Sequence, residues 1–138
     1  MNIRNISERT VISGVKELVL KCNTQLPMDV LSSIKQCLKS AGSAQEKNLL
    51  DIMVKNARIA KAQRLPLCQD TGISIFFVEM GNVKLSGTKT IQQMMDAGVK
   101  KAYGTKKLRP SILSDAFNGH NTKDNTPSVV HIENKKGN

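Results

Sequence analysis

In the first 65 positions, apolar residues recur at the three- and four-residue spacing that is typical of amphipathic helices. The first such run extends from Asn5 to Cys22. Its apolar positions are Val11, Val15, Leu18, Val19 and Cys22. Asn5 followed by Glu8 resembles a capping box, so the pattern predicts a helix that begins at Asn5.

Two further helices are predicted in this part of the chain. The second begins just after Pro27 and ends near Gly42, where glycine suits a helix C-terminus. Its apolar stripe consists of Leu31, Ile34 and Leu38, with Cys37 beside it. The third begins at a capping box formed by Ser43 and Glu46 and stops before Pro66. Its apolar face consists of Leu50, Met53, Ala57 and Ala60.

The pattern changes after Pro66, where β-branched and aromatic residues accumulate. Residues 72–80 lie between two glycines and predict a buried strand. Ser86 is expected to cap a further helix that ends at Gly104. The apolar face of that helix contains Ile91, Met95, Gly98 and Ala102. Residues 128–133 alternate between apolar and polar positions and predict a short strand.

In chain order, these elements predict an α+β fold in one domain. Residues 1–65 form the helical bundle, and residues 66–138 form a mixed segment of strands and helix. A doubly wound parallel sheet is not expected, because strands and helices alternate only about once. The length of 138 residues is within the range of a single domain with a real core.

Composition narrows the classes of function. Lysine and arginine number 21 against 11 acidic residues, a net charge of +10, and the excess is spread evenly along the chain. Four aromatic residues and no tryptophan leave few stacking platforms for nucleic acid, so a nucleic-acid partner is not favoured. Because the net charge is high, a basic module that binds RNA or another anionic partner stays open as an alternative to an enzyme.

The amino terminus lacks the layout of a signal peptide, and no apolar run is long enough to span a bilayer. A soluble cytoplasmic protein is therefore expected.

The clearest candidate for chemistry is the turn that carries Cys68, between the proline-terminated helix and the predicted strand. Its thiolate could bind a soft metal or an iron–sulfur cluster. Gln69 and Asp70 would add an amide and an acid/base carboxylate beside it. The alternative is a small apolar filler at the start of a strand. Cys22 and Cys37 are expected in the helical core, and three cysteines without a CxxC pair do not indicate a disulfide framework.

A second candidate is Arg109, which a constrained turn before Pro110 presents. A planar guanidinium suits a carboxylate. The alternative is that Lys106, Lys107 and Arg109 form a solvated basic cluster or a weak phosphate-binding patch. Further along, residues 121–127 could bind a ligand through their amides, but such residues most often fold a loop onto itself. His131 is interpreted as structural, and His120 lies in a turn without an assigned role.

Four short blocks occur in a specific order along the chain. They are LCQDTG at 67–72, AGVKKAY at 97–103, LRPS at 108–111 and NTKDNTP at 121–127. Together they resemble the alpha subunit, or N-terminal domain, of the iron–sulfur hydro-lyases called class I fumarases and L(+)-tartrate dehydratases. The likeness covers most of the chain, although the first 60 residues match in pattern rather than in signature. Lys123 stands where that pattern has a glycine.

The resemblance implies a 4Fe-4S cluster that three cysteines hold, with Cys68 as one ligand. It also implies that Gln69, Asp70 and Arg109 bind the dicarboxylate substrate, and that Asp70 transfers a proton or orients the substrate. The reaction would be hydration of fumarate to malate, or dehydration of a related hydroxy-dicarboxylate such as tartrate.

The resemblance further implies parts that this chain does not carry. The other two cluster cysteines are expected in downstream segments, and a beta subunit or C-terminal domain is the expected partner in an oligomer. We therefore expect this chain, as the N-terminal part of such an enzyme, to be inactive alone. A regulatory remnant that docks on an intact hydro-lyase is a further alternative.

Overall fold

The computed structural model describes residues 3–68, 72–106, 108–117 and 119–135. Contacts divide the chain into two compact units. Unit 1 consists of Met1–Val19 with Thr71–Asn138, and unit 2 consists of Leu20–Asp70. The described residues form helices and short parallel strands, which confirms the mixed α+β class.

Eight elements follow one another along the described residues. They are β1 (Arg4–Ser7), α1 (Glu8–Thr24), α2 (Met28–Ser40), α3 (Ala44–Gln63), β2 (Ile75–Met80), β3 (Val83–Ser86), α4 (Ile91–Lys106) and β4 (Val129–Asn134). None of the helices in this part of the chain is long and apolar enough to cross a membrane.

Unit 2 is a helical unit with a small core. Helix α2 packs against α3, and the buried residues are Ala57, Ala60 and Leu67, with Leu26 and Leu31 packed against them. The predicted cap of α3 is confirmed, because the Ser43 hydroxyl accepts a hydrogen bond from the Glu46 N–H. The helix ends at Gln63, and Arg64 follows in a left-handed conformation with φ of 53°.

Unit 1 pairs its strands in parallel. Strand β1 lies beside β3, with Arg4 opposite Val83, and β2 lies beside β4, with Ile75 opposite Val129. Each sheet has two strands, so the described residues form no doubly wound sheet. The strand predicted at 128–133 is confirmed as β4.

Helix α4 contributes four buried hydrophobic residues to the core of unit 1. They are Met94, Met95, Val99 and Ala102, and Gly98 between them is also buried. The helix approaches α1 at Gly98, where an added Cβ would lie 2.5 Å from the Val15 Cβ and 3.0 Å from the Ile12 carbonyl oxygen. Glycine at this position therefore lets the two helix backbones come close together.

The structure corrects two predicted helix starts. Asn5 does not cap α1, because it lies in β1 opposite Lys84, and the Ser7 hydroxyl instead accepts from the Thr10 N–H. Ser86 does not cap α4, because it is paired in β3. The capping box of α4 is formed by Thr90 and Gln93. Both errors arise from pairing between strands about 80 residues apart in the chain, which local patterns cannot reveal.

Two burial predictions are also wrong. In strand β2 only Phe76 is buried, whereas Ile75 and Phe77 are 52% and 81% exposed, because they share the opposite face of a two-stranded sheet. Cys22 and Cys37 are exposed rather than in the core. The buried residues of α1 include Thr24 but not Cys22. Helix α2, which carries Cys37, has no buried residue.

Candidate functional site

The Cys68 loop belongs to unit 2 and is held by its backbone. The N–H of buried Leu67 donates to the Asn23 carbonyl oxygen at 2.8 Å, and the Cys68 N–H donates to Asn56 Oδ1 at 3.1 Å. Cys68 itself is exposed. The loop therefore fixes the backbone at Cys68 while leaving the thiol open to a ligand.

Gln69 and Asp70 lie outside the described residues. Their assignment to the substrate and to proton transfer stays a prediction. The described part of the loop resumes at Gly72, whose carbonyl oxygen accepts a hydrogen bond within unit 1.

Arg109 belongs to unit 1 and follows the buried residue Leu108. Its side chain is exposed, and hydrogen bonds hold the two residues that follow it. Asn121 Nδ2 donates to the Pro110 carbonyl oxygen at 3.1 Å, and the Ser111 N–H donates to Asn125 Oδ1 at 2.7 Å. A charged guanidinium on an anchored turn is suited to bind a carboxylate.

The loop at 121–128 uses its polar side chains on the protein itself, as its composition predicts. Asn121 Oδ1 accepts from the Lys123 N–H at 2.7 Å, and Asp124 Oδ1 accepts from the Thr126 N–H and hydroxyl. Lys123 has φ of 65° and Asn125 has φ of 59°. The glycine that the family pattern places at position 123 would fit this left-handed backbone without strain.

Helix α4 anchors the same loop at two points. Asp96 Oδ1 accepts from both the N–H and the hydroxyl of Ser128 at 2.7 Å. Lys100 forms an ion pair of 3.1 Å with Asp124. Burial alone would raise the pKa of Asp124, but hydrogen bonds from Thr126 and the Lys100 ammonium outweigh it and lower the pKa below its ordinary value of 3.8.

Sequence reasoning missed Asn125 and Asp96 as organising residues. Asn125 is fully buried, and its partners are 14 and 53 positions away. Its place in the NTKDNTP block was the available signal, but no spacing rule assigns partners at such separations. His131 stacks on Phe77 with ring centroids 5.1 Å apart, in keeping with a structural role.

Among the described residues, Cys68 is suited to be one ligand of a metal cluster, but it has no companion ligands beside it. They contain no group of three or more His, Cys, Asp or Glu side chains that could hold a metal ion. Cys22 and Cys37 therefore do not complete a site with Cys68. The exposed thiol of Cys68, on a fixed backbone, is suited to be a single ligand of a cluster whose other ligands lie elsewhere.

Comparison with known proteins shows the family of the chain. The family model described as Fumarate hydratase (Fumerase) matches residues 12–138. The chain therefore belongs to this family, which confirms the resemblance of its motif blocks.

Two relatives show how much of such a protein the chain represents. A protein of Methanocaldococcus jannaschii, named provisionally as L(+)-tartrate dehydratase subunit alpha, is 36% identical over 100 residues, which are 72% of this chain and 35% of that protein. L(+)-tartrate dehydratase subunit alpha of Escherichia coli (strain K12) is 31% identical over 108 residues, which are 78% of this chain and 35% of that protein. The chain thus spans about a third of the length of these curated relatives.

Proposed function

We propose that this chain is the N-terminal part of a 4Fe-4S hydro-lyase that hydrates fumarate to malate reversibly, or dehydrates a related hydroxy-dicarboxylate such as tartrate. The observation that carries the proposal is the family match across residues 12–138, which includes the anchored loop of Cys68. The alpha-subunit names of the relatives support a dicarboxylate substrate.

Cys68 is proposed as one cluster ligand. Its exposed thiol needs little rearrangement to bind, because hydrogen bonds from Leu67 and Cys68 already fix the backbone. When bound, the cluster supplies a Lewis-acidic iron that polarises the hydroxyl leaving the substrate. The remaining cysteine ligands are proposed to come from segments outside this chain.

Arg109, Gln69 and Asp70 are proposed as the substrate-binding residues. The Arg109 guanidinium neutralises one carboxylate of the dicarboxylate through paired hydrogen bonds. Gln69 donates an amide hydrogen bond to the substrate. Asp70 transfers a proton or orients the substrate for that transfer.

The partner of this chain is proposed to be a beta subunit or C-terminal domain of the same enzyme, in a cytoplasmic oligomer. The relatives are named as alpha subunits, and the chain spans about a third of their length. One thiolate cannot hold a cubane cluster, so the chain alone is expected to be inactive.

The cluster assignment is tested by anaerobic reconstitution with iron and sulfide, with and without a polypeptide that supplies the downstream segments. Iron and acid-labile sulfide are counted, and malate, fumarate and tartrate turnover are assayed. A cluster and turnover are expected only in the complemented sample, and Cys68→Ser should abolish both. Cys37→Ser, which removes an exposed thiol of α2, is the matched control and should abolish neither. Turnover by the chain alone, or a full cluster in the Cys68→Ser protein, would contradict the proposal.

The role of Arg109 is tested in the same complemented enzyme. Arg109→Lys keeps the charge but loses the planar fork, so the KM for the dicarboxylate should rise about tenfold or more. Arg58→Lys replaces an exposed arginine of α3 and should leave KM unchanged. Equal KM values for the two variants would remove Arg109 from the substrate site.

A further inference from the structure

We propose that Asn125 is a positioning residue that holds the Arg109–Ser111 segment and Gly72 in a fixed relation. The inference rests on the proposed function, since it gives Asn125 its purpose through the carboxylate-binding role of Arg109. It concerns the described residues of unit 1.

The side-chain amide of Asn125 joins two segments that are distant in the chain. Its Oδ1 accepts from the Ser111 N–H at 2.7 Å, and its Nδ2 donates to the Gly72 carbonyl oxygen at 3.1 Å. Asn125 is 0% exposed, so water has no free access to replace either bond. Losing one bond would leave a buried polar group unpaired, which costs more than an exposed bond would.

The backbone and the side chain of Asn125 together restrict the residue type. The φ of 59° lies in the left-handed region, where glycine, asparagine and aspartate are tolerated best. Glycine offers neither bond, and aspartate offers the acceptor for Ser111 but no donor for Gly72. Among these three residues, asparagine alone satisfies the backbone and both partners.

The loop that carries Asn125 has a rigid base. Ser128 is bonded to Asp96, and Asp124 is paired with Lys100, both on α4. The same helix contains the fully buried Val99. Helix α4 therefore holds the loop in place, and Asn125 of that loop holds the turn that follows Arg109.

This arrangement determines where the Arg109 side chain begins. Asn125 holds Ser111 through a hydrogen bond. Pro110, which lies between Arg109 and Ser111, has a φ that its ring restricts. An anchored arginine loses less conformational freedom when it binds a carboxylate than a mobile one does. The other bond of Asn125 holds Gly72, the first described residue after the segment that contains Gln69 and Asp70.

The test is a double-mutant cycle in the enzyme reconstituted with the downstream segments, with the KM for L-malate and L(+)-tartrate as the readout of binding. Asn125→Asp keeps the acceptor and the backbone preference, and Asn125→Gly keeps the backbone preference alone. Both are expected to weaken binding about tenfold at a temperature where every variant is folded. Asn48→Asp adds the same charge at an exposed asparagine of α3 and should change binding less than about twofold.

The cycle separates positioning from a general loss of stability. In an Arg109→Ala background, replacing Asn125 should have no further effect on binding, because the two residues act as one unit. Amide exchange at Ser111 should accelerate in Asn125→Asp, while exchange at Val99 and Ala102 of α4 should stay unchanged. If Asn125→Gly does not fold, Asn125→Asp decides the question.

Each other outcome overturns the inference in a recognisable way. If Arg109→Ala weakens binding and the Asn125 variants do not, the positioning role fails while the proposed function stands. Additive effects in the cycle, or faster exchange throughout α4, would show that Asn125 acts through stability alone. If the reconstituted enzyme turns over neither substrate, the proposed function fails and the inference fails with it. If Arg109→Ala leaves KM unchanged, the carboxylate-binding role of Arg109 fails, and the positioning role of Asn125 fails with it.

Discussion

The two units hold their candidate residues by different means. In unit 1, Arg109 lies on a turn that buried or partly buried side chains tie to a core helix, through Asn125 and through the Asp96–Ser128 bonds. In unit 2, Cys68 lies on a loop whose backbone is bonded to Asn23 and Asn56, directly after Leu67, which is part of the small core. The first device depends on buried or partly buried polar side chains, and the second depends on the exposed bond to Asn56 and on a backbone bond from buried Leu67.

This difference bears on which substitutions each unit tolerates. A buried side-chain bond cannot be replaced by water, so unit 1 should be sensitive to changes that remove or displace single polar groups. The bond from Cys68 to Asn56 is exposed, so solvent can replace part of its free energy. We expect the largest effects in the packing and backbone of unit 1, a smaller one at the Cys68 loop, and the smallest at the partly exposed ion pair of Asp124.

The largest effect is expected where α4 meets α1. Gly98→Ala would place a Cβ 2.5 Å from the Val15 Cβ, and the overpacking should lower the free energy of unfolding by about 2 kcal/mol. Gly104→Ala on the same helix meets nothing within 4 Å and should raise it by about 0.5 kcal/mol through helix propensity. Urea unfolding followed by circular dichroism measures both. If the two variants shift stability equally, the close approach of α1 and α4 is wrong.

A gain is expected in the loop of unit 1. Lys123→Gly relieves a left-handed backbone with φ of 65° and should raise the free energy of unfolding by about 1 kcal/mol. Lys84→Gly makes the same replacement at an exposed position of strand β3 and should lower it. The same urea experiment compares them, and a loss of stability in Lys123→Gly would contradict the loop conformation.

A smaller effect is expected at the Cys68 loop of unit 2. Asn56→Ala removes the acceptor of the Cys68 N–H and should cost about 0.5–1 kcal/mol. Hydrogen exchange at the Cys68 amide should accelerate to match. Asn48→Ala makes the same change at an exposed position of α3, so the difference between the variants isolates the bond from helix propensity. Unchanged exchange at Cys68 would show that Asn56 does not hold the loop.

The smallest effect concerns the pH dependence of unit 1. The pKa of Asp124 is lower in the folded protein than its ordinary value of 3.8. Its contribution to the free energy of unfolding is therefore fully present above pH 3.8 and is lost as the pH falls through the folded pKa. Asp124→Asn should therefore cost below about 1 kcal/mol at pH 6, and the difference should shrink below pH 3.8. Asp51→Asn, in the exposed pair with Lys55 of unit 2, is the control and should show a smaller difference at pH 6. If the difference in the free energy of unfolding between the unaltered chain and Asp124→Asn grows in acid, the pKa of Asp124 is not lowered in the folded protein.

Local signals predicted the elements whose ends depend on neighbouring residues. The cap at Ser43, the start of α2 after Pro27 and strand β4 are confirmed, because each depends on residues within a few positions. Strands β1 and β3 escaped prediction, since each is short and exists through pairing with the other. The exposed face of β2 was missed because an apolar run does not reveal how many strands or layers cover it.

The sequence by itself determined the family and the α+β class. Its motif blocks, which each lie within a few positions, also predicted four candidate residues, Cys68, Gln69, Asp70 and Arg109. It also marked Lys123 as a departure from glycine, and the left-handed φ supplies the reason. Only the tertiary structure decided that Cys22 and Cys37 are exposed and that Asn125 joins Ser111 to Gly72. Such contacts depend on burial and on hydrogen bonds between residues far apart in the chain, which no local periodicity or spacing contains.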